Sequence, residues 1–155
     1  MVIAEHNGTT LTAGTLSTIK AATQIGGNVT VLVLGGSNLS TVATAAAAVA
    51  GVSKVLALEN ATLTQSVAEN YTKAISPLAK NYTHVLAPSS NTGKNYLPRL
   101  AAVLDSQPLT DISAVVDAET FKRPTYAGNA ISTVKMTDAI KVPVTHIIIL
   151  RLILS

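Results

Sequence analysis

The chain has 155 residues, 48% of them apolar and only 12% charged, with a formal net charge of +3. That length predicts one domain, and an apolar share built from Ala, Val, Leu and Ile, beside four Tyr, one Phe and no Trp, predicts an aliphatic helix-on-sheet core and a surface partly covered by a partner. Lys122-Arg123 is the only adjacent basic pair and there is no cysteine, which argues against a nucleic-acid partner and removes disulfides, thiolate metal sites and a cysteine nucleophile.

Residues 2–35 read as strand, helix, strand. Val2-Ile3-Ala4 leads into Glu5 and His6, and Asn7-Gly8-Thr9-Thr10 breaks the run. Thr12 or Thr15 is placed to cap a helix reaching about Ile25, which Gly26-Gly27 stops. Val29, Val31, Leu32, Val33 and Leu34 then form a nearly continuous aliphatic run, the pattern of a strand covered on both faces. Two buried strands joined by one helix make a βαβ crossover and put the first strand centrally in a parallel sheet.

The same alternation continues. Ser40 or Thr41 caps an Ala-rich helix over residues 42–50, ended by Gly51, and residues 54–58 form a third strand. After a loop at 59–64, Val67, Tyr71, Ala74, Ile75 and Leu78 fall at helical spacing, kinked near Pro77. Residues 84–87 make a fourth strand, residues 88–95 a loop, and residues 96–104 a helix with Pro98 in or near its first turn. Residues 105–108 interrupt the pattern. Beyond them, strand-like runs at 112–116, 120–125 and 129–136 are separated by links too short for crossover helices, so antiparallel strands at the sheet edge are expected. The predicted class is three-layer α/β with a mostly parallel sheet and antiparallel strands added at the C-terminal end.

No cleavable signal or transit segment is apparent before the first strand, and Asn-X-Ser/Thr triplets such as Asn60-Ala61-Thr62 read as chance matches in a chain rich in both residues.

In an open parallel sheet, ligands bind outside the carboxyl ends of the strands, here residues 5–14, 35–40, 59–65 and 89–94. The last is the strongest anion or nucleotide loop: Ser89, Ser90 and Thr92 offer hydroxyls, Gly93 lets backbone approach, and Lys94 brings charge to a helix N-terminus. Turn and cap duties explain the same residues. His6, His84 and His146 lack metal-ligand spacing, and no catalytic triad is visible. Asp105, Asp111 and Asp117 read as solvated turn residues. Arg99 reads either as an interface charge or as a solvated one. Tyr126, Gly128 and Asn129 form the least ordinary motif of the antiparallel part, read as a structural clasp or a recognition surface.

Several stretches, in order, carry a resemblance: Val2-Ile3-Ala4-Glu5-His6, Leu11-Thr12-Ala13-Gly14-Thr15-Leu16, Val49-Ala50-Gly51-Val52-Ser53-Lys54-Val55, Gly93-Lys94-Asn95-Tyr96-Leu97-Pro98-Arg99-Leu100-Ala101 and Tyr126-Ala127-Gly128-Asn129-Ala130. Together they are similar to the N-terminal domain of the electron transfer flavoprotein alpha subunit, over residues 1–142. The resemblance implies a fold of the adenine nucleotide alpha hydrolase-like type. It also implies an αβ heterodimer that carries electrons from dehydrogenases to a membrane quinone oxidoreductase, with FAD mainly in a second alpha domain absent here and AMP in the beta subunit. A non-catalytic scaffold and interface domain follows, binding no FAD by itself, in the mitochondrial matrix of a eukaryote or the cytoplasm of a bacterium.

The departure from that resemblance is an apolar tail at 143–155, a core strand to about Leu150 and too short to span a bilayer, which takes about 20 residues. A different class, a stand-alone nucleotide-binding module similar to universal stress proteins, would use the 89–94 loop.

Overall fold

The computed structural model of the protein describes residues 1–146. Strands and helices alternate from β1 (Val2–Ala4), α1 (Ala13–Ile25), β2 (Val29–Gly35), α2 (Ser40–Ala47), β3 (Val52–Glu59), α3 (Ala68–Ala79), β4 (Ala87–Pro88) and α4 (Asn91–Val103) to β5 (Pro108–Ile112). Four further strands follow: β6 (Ala114–Val115), β7 (Thr120–Thr125), β8 (Ala130–Lys135) and β9 (Val142–Thr145).

β3, β2 and β1 pair in parallel, and so do β4, β9 and β5. The two sets meet where Val2 bridges Leu86: the Ile3 N–H donates to the Leu86 carbonyl at 2.8 Å, and the Leu86 N–H to the Met1 carbonyl at 2.9 Å. The parallel order is therefore β3-β2-β1-β4-β9-β5, with the direction of winding reversed between β1 and β4. β2 shows why the core has two halves. Leu32 and Leu34 face a cluster with Ile75 of α3 and Tyr96, Leu97 and Leu100 of α4. Val29, Val31 and Val33 face the opposite cluster, with Ile19 and Ala22 of α1 and Val42 and Ala46 of α2. Reversing the winding while moving the helices to the other face keeps each crossover right-handed. The result is the expected three-layer α/β arrangement.

Several boundaries differ from the sequence-based expectation, each for a local reason. Helix α4 begins at Asn91 rather than near 96, because Ser90 caps it by accepting the Gly93 N–H at 2.9 Å. Pro98 consequently lies in the helix interior. Helix α2 starts without a side-chain cap; instead the Leu39 N–H donates to Glu59 Oε1 at 2.7 Å, from the end of β3. At α1 the Thr12 cap is present, accepting the Thr15 N–H at 3.2 Å.

The strand expected at 112–116 is two pieces. β5 belongs to the parallel sheet, Asp111 takes a φ of 59°, and β6 continues into an antiparallel sheet of order β6-β7-β8. The added strands thus hang from the continuation of the edge strand. After β8 the chain returns to the sheet interior, and β9 enters between β4 and β5. Residues 143–145, where the apolar tail was read to begin, are buried strand residues there. The rest of that tail, from 147, lies outside the described residues. No described helix is long and apolar enough to cross a membrane.

Candidate functional site

The reversal between β1 and β4 opens a crevice outside the carboxyl ends of the strands, where a doubly wound sheet binds ligands. A cleft of about 460 Å³ lies there, reached by Glu5 and His6 after β1, residues 35–39 after β2, Tyr71 of α3, and Thr92 and Tyr96 of α4.

Glu5 is held by its backbone. Its N–H donates to Thr15 Oγ1 at 2.8 Å, and the Thr15 hydroxyl donates to its carbonyl at 2.9 Å. The carboxylate accepts the Ser90 hydroxyl at the N-terminus of α4. Burial raises the Glu5 pKa, and the hydrogen bonds from Ser90 and the Gly93 amide offset that only in part. An internal carboxylate therefore takes the position at this helix end that favours negative charge. His6 Nδ1 accepts the Gly8 N–H at 3.1 Å, which leaves Nε2–H to donate to the Leu34 carbonyl at 3.0 Å. Both ring nitrogens are engaged with backbone.

The predicted anion loop divides between two carboxylates. Ser90 and Gly93 face Glu5, whereas Ser89 donates to Asp111 Oδ1 at 2.5 Å and Lys94 Nζ lies 3.0 Å from the same oxygen. Thr92 alone of the five lines the cleft. Asp111 was expected among the solvated turns; what brings it here is the left-handed turn at the end of β5, a long-range contact with no signature in local spacing. Burial raises its pKa, but the Ser89 and Lys94 hydrogen bonds and the Lys94 charge outweigh burial and leave it lowered.

The sign of the pH effect follows. A carboxyl lowered by folding stabilises the fold above its unfolded pKa and loses that contribution as pH falls through the folded value. Asp111→Asn, which tolerates the same φ, should reduce stability at neutral pH by up to about 1 kcal/mol, the pair being partly solvated. It should also lose less stability than the parent below pH ~4. Urea unfolding at pH 7 and pH 3.5 measures both.

Arg99 Nη2 lies 2.8 Å from Glu69 Oε1, with both side chains more than half exposed, and so links α4 to α3 at the surface. Tyr126, Gly128 and Asn129 occupy the turn between β7 and β8, well outside the cleft lining. Tyr126, Ala127 and Gly128 have φ values of 50°, 54° and 90°, and the Asn129 N–H donates to the Tyr126 carbonyl at 3.1 Å. A Cβ on Gly128 would meet nothing within 4 Å, so any cost there is backbone strain alone. Gly128→Val should destabilise by about 1–2 kcal/mol and Gly128→Asn by distinctly less; equal urea midpoints for the two variants would remove strain as the cause.

Sequence reasoning did not single out Tyr96, which is fully buried against Tyr71 with ring centroids 5.3 Å apart. Burial pushes its phenol well above the ordinary range, with Glu5 and Tyr71 adding to the effect. Among the described residues, no group of His, Asp and Glu could hold a metal ion.

Comparison with known proteins places this geometry. The electron transfer flavoprotein domain matches residues 1–145. An electron transfer flavoprotein subunit alpha from Pseudomonas aeruginosa is 54% identical over 142 residues, covering 92% of this chain and 46% of that protein. The mitochondrial alpha subunit of Dictyostelium discoideum is 46% identical over 150 residues, covering 92% and 42%. The electron transfer flavoprotein subunit alpha of Paracoccus denitrificans is 47% identical over 131 residues, covering 84% and 41%. The chain spans less than half the length of these relatives. With one domain model matched across nearly all described residues, and relatives of this similarity, the chain belongs to the electron transfer flavoprotein family, in the part that forms the N-terminal domain of alpha subunits.

Proposed function

We propose that this chain is the scaffold and subunit-interface domain of an electron transfer flavoprotein alpha chain, in an FAD-dependent carrier that takes electrons from dehydrogenases to a quinone oxidoreductase. The observation that carries the reading is the family match over residues 1–145. The chain itself acts as a rigid platform and supplies no catalytic residues. Its partner is the beta subunit of the same carrier. Its location is the mitochondrial matrix in a eukaryote, as the names of the Dictyostelium and other eukaryotic relatives suggest, and the cytoplasm in a bacterium.

FAD fits the described residues poorly. The cleft lining contains no Lys or Arg to meet two phosphates, Lys94 is engaged by Asp111, and the helix end that would receive an anion already holds the Glu5 carboxylate. This supports a flavin held elsewhere in the complete protein. An interface role is supported by the exposed apolar side chains of the antiparallel part, Tyr126, Ile131 and Val116, which a covering subunit would bury.

Two measurements test the proposal. The chain, mixed with the beta subunit, should elute from gel filtration as a one-to-one complex. Alone, it should carry no flavin absorbance. Arg99→Ala should weaken the complex while shifting the urea midpoint of the isolated chain little, because an exposed ion pair contributes at most about 1 kcal/mol. No complex with the beta subunit, or stoichiometric flavin on the isolated chain, would sink the scaffold reading; an unchanged dissociation constant for Arg99→Ala would remove that residue from the interface.

A further inference from the structure

The parallel sheet ends in a strand that has a partner on one side only. Among the described residues β3 pairs with β2 alone, so alternate backbone N–H and C=O groups along residues 53–58 point outward from the sheet. Ser53, Lys54 and Ala57 are exposed there. Beside this edge, between the end of β3 and α3, runs a groove of about 470 Å³ with Leu58, Leu63 and Ala74 as its apolar floor and Asn70 and Lys73 at its rim. Leu56, Leu58 and Ala74 pack against the core from this side yet are only partly buried. Side chains alternate along a strand, which sets Lys54 on the same face as Leu56 and Leu58. Lys73 therefore stands beside Leu58 at one end of an apolar strip, and Lys54 at the other, about 13 Å away along the strand. Both lysines are exposed, and neither has an ion pair among the described residues. The acids on these two elements are engaged: Glu59 Oε1 accepts the Leu39 N–H at 2.7 Å, and Glu69 pairs with Arg99. The charge decides what can pair here. A second copy of this edge would bring lysines against their own kind, and a Lys on an exposed edge strand blocks such pairing. An acidic strand would turn the same two cations into anchors.

We propose that the outer edge of β3 receives an extended acidic segment of a partner protein as an added strand. Its backbone pairs with the outward N–H and C=O groups of residues 53–58, a central apolar side chain enters the groove over Leu58 and Ala74, and carboxylates two residues to either side meet Lys54 and Lys73. In the order β3-β2-β1-β4-β9-β5 this edge lies about 24 Å from the strand that carries the antiparallel sheet. The surface is therefore separate from the one proposed for the beta subunit, and its occupancy does not depend on that subunit.

Two blocked five-residue peptides are matched probes: glutamate, threonine, valine, threonine, glutamate, and the same peptide with lysine in place of both glutamates. Titrated into the whole chain and followed by amide NMR, the glutamate peptide should bind in the high micromolar to millimolar range, shift resonances of β3 and α3, and slow the exchange of outward β3 amides. The lysine peptide should bind at least about tenfold more weakly. Lys54→Glu combined with Lys73→Glu, both at exposed positions, should invert that preference, and each change alone should remove part of it, so the single variants decide the matter where the double one fails to fold. The proposal is overturned by any of four results: no binding of the glutamate peptide at millimolar concentration, equal affinity for the two peptides, binding that leaves the β3 amides unprotected, or a dimer of the free chain that protects those amides, which would make a second copy the occupant.

Discussion

Gly93→Ala is expected to destabilise the chain by about 2–3 kcal/mol, against a helix propensity that by itself favours Ala over Gly by about 1 kcal/mol. The two effects have opposite signs, and the geometry decides between them. A Cβ at this position would stand 2.2 Å from the Pro88 carbonyl oxygen and 3.4 Å from its carbon. Both atoms are backbone of β4, so no rotamer change relieves the contact. The helix has to move instead, and α4 carries Tyr96, Leu97, Leu100 and Ala101, all fully buried. Lifting its first turn also pulls Ser90 from Glu5 and from the Gly93 amide. Chemical denaturation measures the difference; a variant as stable as the parent would mean that α4 does not seat on β4 this closely.

Phe121→Ala should have a larger effect, about 3–5 kcal/mol, and a more local one. Phe121 is the chain's one Phe and is 0% exposed in a small cluster with Leu109, Ile112 and Met136. That cluster fastens β7 and β8 to β5, with help from Ser113, whose N–H donates to the Lys122 carbonyl at 2.8 Å, and from Arg123, which donates to Thr110 Oγ1 at 3.2 Å. The two larger clusters on either side of the parallel sheet do not include Phe121. Hydrogen exchange should therefore show lost protection in β6, β7 and β8 while amides of β1 and β2 stay slow. A uniform loss of protection throughout the chain would show that the antiparallel sheet and the parallel core unfold as one unit.

What was legible in the sequence and what was not divide along the range of the interactions involved. The aliphatic run of β2, the Thr12 cap and the Gly26 stop are local signals, and α1 and β2 follow them closely. Family membership was legible for the same reason, since ordered motifs need no knowledge of contacts. The start of α4 was hidden because an Asn-Thr-Gly-Lys stretch reads as a loop, while the cap that makes it helical depends on Ser90. Asp111 is unremarkable in sequence and joins Ser89 and Lys94 only through long-range packing. Tyr96 was read only as the start of a helix and as one residue of the stretch from Gly93 to Ala101 that carries the resemblance. Its importance lies in a missing hydrogen-bond partner, which no residue pattern encodes. A core strand was read from 143 to about Leu150 despite Pro143, a residue that usually disqualifies a central strand; the place of β9 between β4 and β5 had no local signature. Here Pro143 pairs in register with Leu109 of β5, and bonds on the β4 side continue before and after it, the Lys141 N–H donating to the Thr83 carbonyl and the Ser89 N–H to the Thr145 carbonyl, both at 2.8 Å.

That last strand also constrains how the domain is made. A ribosome releases β1 to β5 well before β9, yet β4 and β5 have no direct ladder between them; both pair with β9. Until residues 142–145 emerge, the nascent sheet carries an open slot bordered by two unpaired backbone edges, the kind of surface that recruits foreign strands. Closure of this sheet thus waits on β9, and the separation in sequence between Ala87 and Val144 makes the pairing an intrinsically slow one. Stalled or prematurely terminated synthesis before this point would yield a species prone to aggregation rather than a smaller stable domain.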